Sequence, residues 1–443
     1  MSNPGLDHLV AELKAVDPVR PIGRIRAVDG GLIRVSGLAE HAAMGDQVRL
    51  MAGDTMSVGE VVALGGEIIS VLSDHAATGL SVGDRVVHLG PEQIAPDESW
   101  LGRVIDPSGK PLDNAPILSG LTRRPLSNAP PPAASRRGFG ARLSTGLCVF
   151  DTMLPLVRGQ RIGLFAGSGV GKSTLLAQLA QGLEADVVVI ALAGERGREV
   201  RHFIDKVLGP RGMARSVVVT ATSDQSALMR RKALMTAMTI AETFRDTGKH
   251  VLLLADSITR FAEAHREVAL SAGEAASLRG YPPSLPHLIA ALVERAGPGS
   301  MAQGDITAIF SILVAGSDMD EPVADMLRGV LDGHVILDRE IAERGRFPAV
   351  DVLRSVSRSL PDAANSEENA MISLARRRMG TYAKNALMVQ AGLYQSGTDP
   401  ELDAAIEVWA RLDAFVGQSS HDGVEASFKA LEYALLGDGS DQN

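Results

Sequence analysis

Between residues 21 and 90 the chain is a series of short β-type runs broken by Gly and Asp: GRIRAV, LIRVSG, QVRLM, GEVVAL, EIISVL and GDRVVHLG, with Asp29-Gly30-Gly31 between the first two. Apolar and polar residues alternate within them, the period of a strand with one buried face, and the run of short strands predicts a small β-barrel. From Gly159 to about Asp351 the pattern changes. Continuous apolar runs (RIGLFA, DVVVIALAG, SVVVTAT, HVLLLAD, DITAIFSILVAG, HVILD) alternate with segments of helical spacing, the longest being SALMRRKALMTAMTIAETFRDTG. Strands buried on both faces with helices between them imply a mainly parallel sheet, and ligands then gather at the carboxyl ends of its strands. After about Ser359 the pattern is helical throughout. No internal repeat is found.

Ahead of the barrel, Leu6, Leu9, Val10 and Leu13 fall on one face of a short helix, which either docks a partner or rests on its own domain. Between Pro91 and Leu147 the chain reads as a connector. Pro130, Pro131 and Pro132 can neither donate to a strand ladder nor sit inside a helix, so they mark an exposed crossing.

At 443 residues the chain is too long for one core, and two or three domains are expected. A net charge of -9 and 4% aromatic residues argue against a sequence-independent grip on nucleic acid, which needs basic grooves and stacking rings. The same shortage of aromatics argues against an oligonucleotide-binding barrel and favours one that ties neighbouring subunits together. The single cysteine, Cys148, excludes an internal disulfide and a cysteine metal cluster, and suits the cytoplasm. The first twenty residues carry charges throughout and lack the apolar stretch of an export signal. No charge-free apolar run reaches the roughly 18 to 20 residues that cross a bilayer, so any membrane role is expected to be peripheral.

The chemistry is concentrated in RIGLFAGSGVGKSTLL, residues 161–176. An apolar strand stops at Ala166, Gly167, Ser168, Gly169, Val170 and Gly171, and Lys172, Ser173 and Thr174 open a helix. Glycines let successive backbone N–H groups curl around one anion, and the helix adds its positive end. A polyphosphate fits there: Lys172 would reach its β- and γ-phosphates, and the Ser173 hydroxyl would give one ligand to Mg2+. Ala166 stands where the usual pattern has Gly. A Gly-rich turn before a core helix would need neither Lys172 nor the matching pieces downstream.

Those pieces are strand-end acids. HVLLLAD ends at Asp256, whose carboxylate can organise the water shell of a phosphate-bound Mg2+, or cap the next helix. DVVVIALAG runs into Glu195, placed to polarise an attacking water, a general-base contribution of about 10²- to 10⁴-fold. The other reading of Glu195 is a solvated ion-pair cluster. Arg196 either contacts the γ-phosphate or pairs with Glu199. In FPAVDVLRSVSRS, Arg358 is a candidate arginine finger, though an Arg in a loop is more often simply solvated.

With these motifs in order, the chain resembles a catalytic subunit of the rotary-ATPase family, and within it the flagellar export ATPases (flagellum-specific ATP synthases). The resemblance covers nearly the whole chain and is carried by GLFAGSGVGKSTLL, ALAGERGREV, ATSDQSALMR, HVLLLADSITRFA, GYPPS, LVERAG, LDGHVILDR and PAVDVLRSVSRS. It implies an α/β fold: an N-terminal small β-barrel, a central P-loop NTPase domain with a mainly parallel, RecA-like sheet, and a C-terminal helical domain. The expected divisions are 1–20 as a partner-binding segment, 21–90 as barrel, 91–147 as connector, 148–358 as the ATPase domain and 359–443 as the helical domain.

The resemblance further implies Lys172 as the phosphate lysine, Ser173 and Asp256 as partners of Mg2+, Glu195 as the catalytic carboxylate and Arg358 as a finger offered to a neighbour's site. Phe347 falls where the family sets an aromatic ring against adenine, with Tyr394 as a candidate for the opposite wall. SDMDEP, residues 317–322, falls where rotary relatives touch their central stalk, and GEAASLRGYPPS departs from the more proline-rich form usual in the family. An ATP-hydrolysing homohexamer energising type III export is implied. So are a regulatory stator protein at the N-terminal segment, a coiled-coil stalk, export chaperones and a membrane export gate, the enzyme working at the cytoplasmic face of the inner membrane. A virulence-type secretion ATPase has the same chemistry; a rotary ATP synthase subunit, a non-catalytic ring subunit and an RNA-tracking ring ATPase match less well, the third because of the acidic, aromatic-poor barrel.

Overall fold

The computed structural model describes residues 4–14, 16–53, 55–75, 78–277, 280–314, 319, 321–420 and 422–437. The chain opens with helix α1 (Pro4–Lys14) and then forms β1 (Ile22–Asp29), β2 (Leu32–Ser36), β3 (Asp46–Ala52), β4 (Thr55–Gly65), β5 (Ile68–Ser73) and β6 (Arg85–Pro91). These six close into an antiparallel barrel in the order β1-β2-β5-β4-β3-β6, with β6 pairing back onto β1. Alternation decides which side chains go inside: Ile25, Ile33, Val35, Val48, Leu50, Val61, Ile69, Val71 and Val86 fill the interior at 0% exposure. The turn after β1 needs Gly30 and Gly31, whose φ values of 57° and 97° are costly for other residues.

The connector is more structured than its composition suggests. It contains β7 (Gln93–Ile94), β8 (Arg103–Ile105) and β9 (Arg124–Pro125). The sequence reading treats this region as a crossing, yet β8 joins β12 below as a parallel strand, with Val104 opposite Val218. Three residues are too few to show a period, which is why the strand is invisible in the pattern.

The alternating region follows as α2 (Cys148–Asp151), β10 (Arg161–Ala166), α3 (Lys172–Gly182), β11 (Val187–Glu195), α4 (Gly197–His202), a π-helical stretch (Phe203–Leu208), α5 (Gly209–Ala214), β12 (Ser216–Thr222), α6 (Ala227–Asp246), β13 (Val251–Asp256), α7 (Ile258–Ser271), α8 (Leu285–Glu294), β14 (Gly297–Pro298), β15 (Asp305–Leu313), α9 (Pro322–Val330), β16 (Gly333–Leu337), α10 (Arg339–Glu343) and β17 (Val350–Ser357). The helical end is α11 (Ser366–Gln390), α12 (Pro400–Val416) and α13 (Gly423–Leu436). Two of them are capped where they start: Asn365 and Glu368 cap α11 reciprocally, and Asp399 accepts from two N–H groups at the start of α12.

The contacts divide the chain into two compact units. The first holds residues 1–131, 187–247 and 255–295: α1, the barrel, the connector strands, the parallel set β11-β12-β8, and α4 to α8. Its core includes a buried ion pair, in which Arg295 donates from Nε and NH2 to the two oxygens of Glu242 at 3.0 and 2.8 Å, and from NH1 to the Leu126 carbonyl at 2.7 Å. Lys232, 1% exposed, lies 3.0 Å from Asp74 and 2.9 Å from Glu92. Burial disfavours its ammonium charge, but Asp74, Glu92 and Glu60 outweigh that and raise its pKa. The barrel is thus tied to α6 by charge as well as by the apolar contact of Val62 with Leu228 and Ala264.

The second unit holds residues 132–186, 248–254 and 296–443. Here β10 lies between β15 and β16, parallel to both, and β17 closes that edge antiparallel to β16. Residues 162–166 are all buried, as expected of a strand covered on both faces. Asp151, fully buried, accepts from the N–H and hydroxyl of Thr145 and from Ser427 Oγ, anchoring α13 on α2.

Candidate active site

In the second unit β10 delivers the chain into the loop 166–171, and α3 begins at Lys172. Gly169 and Gly171 have φ of 79° and 87°, the left-handed conformation that a phosphate-cradling loop requires, and the Leu175 N–H donates to the Gly171 carbonyl at 3.0 Å to start the helix. Ser168, Gly169, Ser173 and Thr174 are exposed and Lys172 is half-buried, so the anion end of α3 is open. Behind it Leu175, Leu176, Leu179 and Ala180 are buried, forming the apolar side of the helix.

Phe347 arrives at this loop from the segment between α10 and β17. A Cβ built on Gly171 would lie 3.1 Å from Phe347 Cδ1, so the ring rests against the loop exit. The ring is 52% exposed and lines a cavity of about 550 Å³ with Arg346, Arg411, Phe415, Gln418 and Tyr433. Arg346 fixes the turn by donating to the carbonyls of Pro348 at 3.0 Å and Val350 at 2.9 Å, and lies 3.0 Å from Asp413. Tyr394 is not in this cavity. Its hydroxyl donates to Asp403 Oδ1 at 2.9 Å, and it lines a separate cavity with Pro400, Asp403 and Ile406. Two aromatic residues share the cavity with Phe347, Phe415 on α12 and Tyr433 on α13, and nothing in the local sequence singles out either.

Arg358 follows β17 and is exposed. Its N–H donates to the Asp332 carbonyl at 3.0 Å and its NH2 to the Arg328 carbonyl at 3.2 Å.

In the first unit, Glu195 ends β11 half-buried and Asp256, 5% exposed, ends β13. Between them the structure brings in Arg260, which the sequence reading passed over. It donates from NH1 to Glu263 at 2.8 Å, and a Cβ on Gly194 would meet its side chain at 3.2 Å. Hydrogen bonding to Glu263, with the added charges of Glu195 and Asp256, raises the pKa of Arg260. Its signal was available: Arg260 stands four residues after Asp256, in the first turn of α7. Arg196 is exposed, its NH1 3.9 Å from Glu199. Of the residues 317–322 expected at a stalk contact, Ser317, Asp318 and Asp320 lie outside the described residues, as do Leu278 and Arg279 of GEAASLRGYPPS.

A left-handed loop opening a helix, strand-end carboxylates, a barrel before and helices after define a P-loop ATPase. The sequence model described as "ATP synthase alpha/beta family, nucleotide-binding domain" matches residues 146–357, and that of the "T3SS EscN ATPase C-terminal domain" matches residues 364–432. The chain is 44% identical to the flagellum-specific ATP synthase of Agrobacterium fabrum, over 87% of this chain and 81% of that protein. It is 41% identical to the flagellum-specific ATP synthase of Caulobacter vibrioides, over 97% and 98%. Among solved structures, the assembled ATPase EscN of the enteropathogenic E. coli type III secretion system matches with a TM-score of 0.87 at 36% identity, covering 93% of this chain and all of that one. EscN in complex with its central stalk EscO matches at 0.84 and 37%, with the same coverage. The chain belongs to the ATP synthase alpha/beta family, in the branch of the flagellar and type III secretion ATPases, and is an ATPase.

Proposed function

We propose that the protein hydrolyses ATP to ADP and phosphate at sites shared between copies in a homohexamer, and that this energises type III export of flagellar proteins. The observation that carries the reading is the open loop 166–171, left-handed at Gly169 and Gly171 ahead of Lys172, with Phe347 against Gly171. Phe347 and its cavity suit a flat, weakly polar ring such as adenine. Lys172 neutralises the phosphates, Glu195 orients the attacking water, and Arg358 from the neighbouring copy meets the charge that develops on the transferred group. Arg196 completes the set as a cation next to Glu195.

The residues assigned to Mg2+ are Ser173 and Asp256. Their donors are hard oxygens, the kind that Mg2+ takes. That suits an ion arriving with the nucleotide and keeping phosphate and water ligands. When bound it supplies charge neutralisation across the β- and γ-phosphates.

Support for partners is of a similar kind. EscN assembles and binds its central stalk EscO, and a stalk protein is proposed here by analogy. In α1, Leu9, Val10 and Leu13 are 52%, 45% and 65% exposed, while His8 Nδ1 lies 2.6 Å from the Ser119 carbonyl. The helix is thus anchored with its apolar residues outward, which supports a stator protein docking there. Export chaperones and a membrane export gate complete the scheme. No helix among the described residues is long and apolar enough to cross a membrane, and action at the cytoplasmic face of the inner membrane is part of the proposal.

The test is Glu195→Gln. ATP binding is expected to stay within about threefold of the parent while turnover falls by about 10²-fold or more, read by ligand binding and phosphate release. A variant that hydrolyses ATP at the parent rate would remove Glu195 from its role.

A further inference from the structure

Arg358 does not stand alone on its surface. Its NH2 donates to the carbonyl of Arg328 in the last turn of α9, and both guanidiniums are exposed. Both also push His334, half-buried on β16 with its ring 6.0 Å from that of Phe165, toward its neutral form, after burial itself. The two cations therefore share one face.

Among the described residues no carboxylate is paired with either. Asp332, whose backbone receives the Arg358 N–H, has both side-chain oxygens taken by Arg161: Oδ2 accepts from the Arg161 N–H at 3.0 Å and from Nε at 2.9 Å, and Oδ1 from NH2 at 3.0 Å. Asp325, one turn earlier on α9, is exposed and not paired with Arg328. Among the described residues neither Arg328 nor Arg358 enters an ion pair. Two exposed arginines joined through the Arg328 carbonyl, with no carboxylate paired to either among the described residues, leave a cationic surface that a polyanion would neutralise. The helix C-terminus accounts for one cation near the α9 carbonyls. It does not account for two with their carboxylate drawn off by a third arginine.

We propose that Arg328 is a second cation of the face that carries Arg358: its side chain meets the phosphate oxygens of an ATP held by the next copy of the chain, and its carbonyl sets the direction of the Arg358 guanidinium. The inference rests on the reading of Arg358 as a group acting across an interface. It gives that face two guanidiniums, one for the oxygens of the transferred group and one for the phosphate it leaves.

The test compares Arg328→Gln, Arg328→Lys and Arg358→Ala in the full chain by steady-state ATP hydrolysis, with assembly followed by sedimentation. Arg328→Gln is expected to lower kcat by about 10- to 100-fold while KM stays within about threefold, and Arg328→Lys to recover part of the loss. Mixed with Lys172→Ala chains, Arg328→Gln chains are expected to regain turnover, because their intact loops then meet intact arginines. A structural defect in α9 would not be repaired that way. If Arg328→Gln turns over at the parent rate while Arg358→Ala is inactive, the inference fails and the reading of Arg358 stands. If Arg358→Ala itself turns over at the parent rate, both fail. A loss in Arg328→Gln without recovery in rings shown to be mixed also overturns it.

Discussion

Gly171 shows how much one residue can be asked to satisfy. Its φ of 87° belongs to the left-handed region, and the space where a side chain would begin is taken by the edge of Phe347. Gly171→Ala is therefore expected to weaken ATP binding at least about tenfold without unfolding the chain, since strain of about 1–3 kcal/mol falls on the loop alone. An unchanged affinity by titration would show that the loop holds nothing. At this scale much of the candidate site was legible, because phosphate recognition by backbone needs glycines, a lysine and a hydroxyl within a few consecutive residues. Arg260 was within reach of the pattern but unread, and Tyr433 was not legible. The first sits in a run read only for its aspartate, and the second is carried to Phe347 by the packing of α13, a relation between distant segments that no local pattern encodes.

Among the elements, α6 holds the barrel and the connector within the first unit through charges that are out of water. Removing one partner of a buried pair strands the other, so Arg295→Ala is expected to cost about 3–5 kcal/mol in chemical denaturation, whereas replacing both Arg295 and Glu242 by apolar residues is expected to cost less. The sequence pattern could find α6 by its length but not this pairing, since Arg295 lies beyond α8.

Two histidines add a pH dependence. Burial, with Arg158 nearby, lowers His250 to about 4, and burial, with Arg231 nearby, lowers His265 to about 4. An unfolded histidine titrates near 6.5, so between those values the unfolded chain binds more protons. Stability is full above about pH 6.5 and declines as pH falls toward 4, by roughly 2 kcal/mol for each histidine at pH 5. Denaturation midpoints measured between pH 7.5 and 5 check the direction; a chain more stable at pH 5 would reverse it.

For the whole molecule, the barrel and the change of period after it were readable because each follows from which faces are buried. The connector strand β8 was not, being too short to carry a period. What meets the chain is a property of surfaces, and two of them are marked: the outward apolar residues of α1, proposed for a stator protein, and Arg358 with Arg328, proposed for the next copy. If each reaction centre draws its loop from one copy and its guanidinium from the next, turnover per chain should rise with protein concentration through assembly.

The most direct measurement mixes Lys172→Ala and Arg358→Ala chains, each inactive alone, in equal amounts and follows phosphate release. Random assembly leaves roughly a quarter of the sites with an intact loop facing an intact arginine, so activity is expected to return to at most about that fraction of the parent rate. No return of activity, in rings shown to contain both chains, would contradict a reaction centre shared between copies.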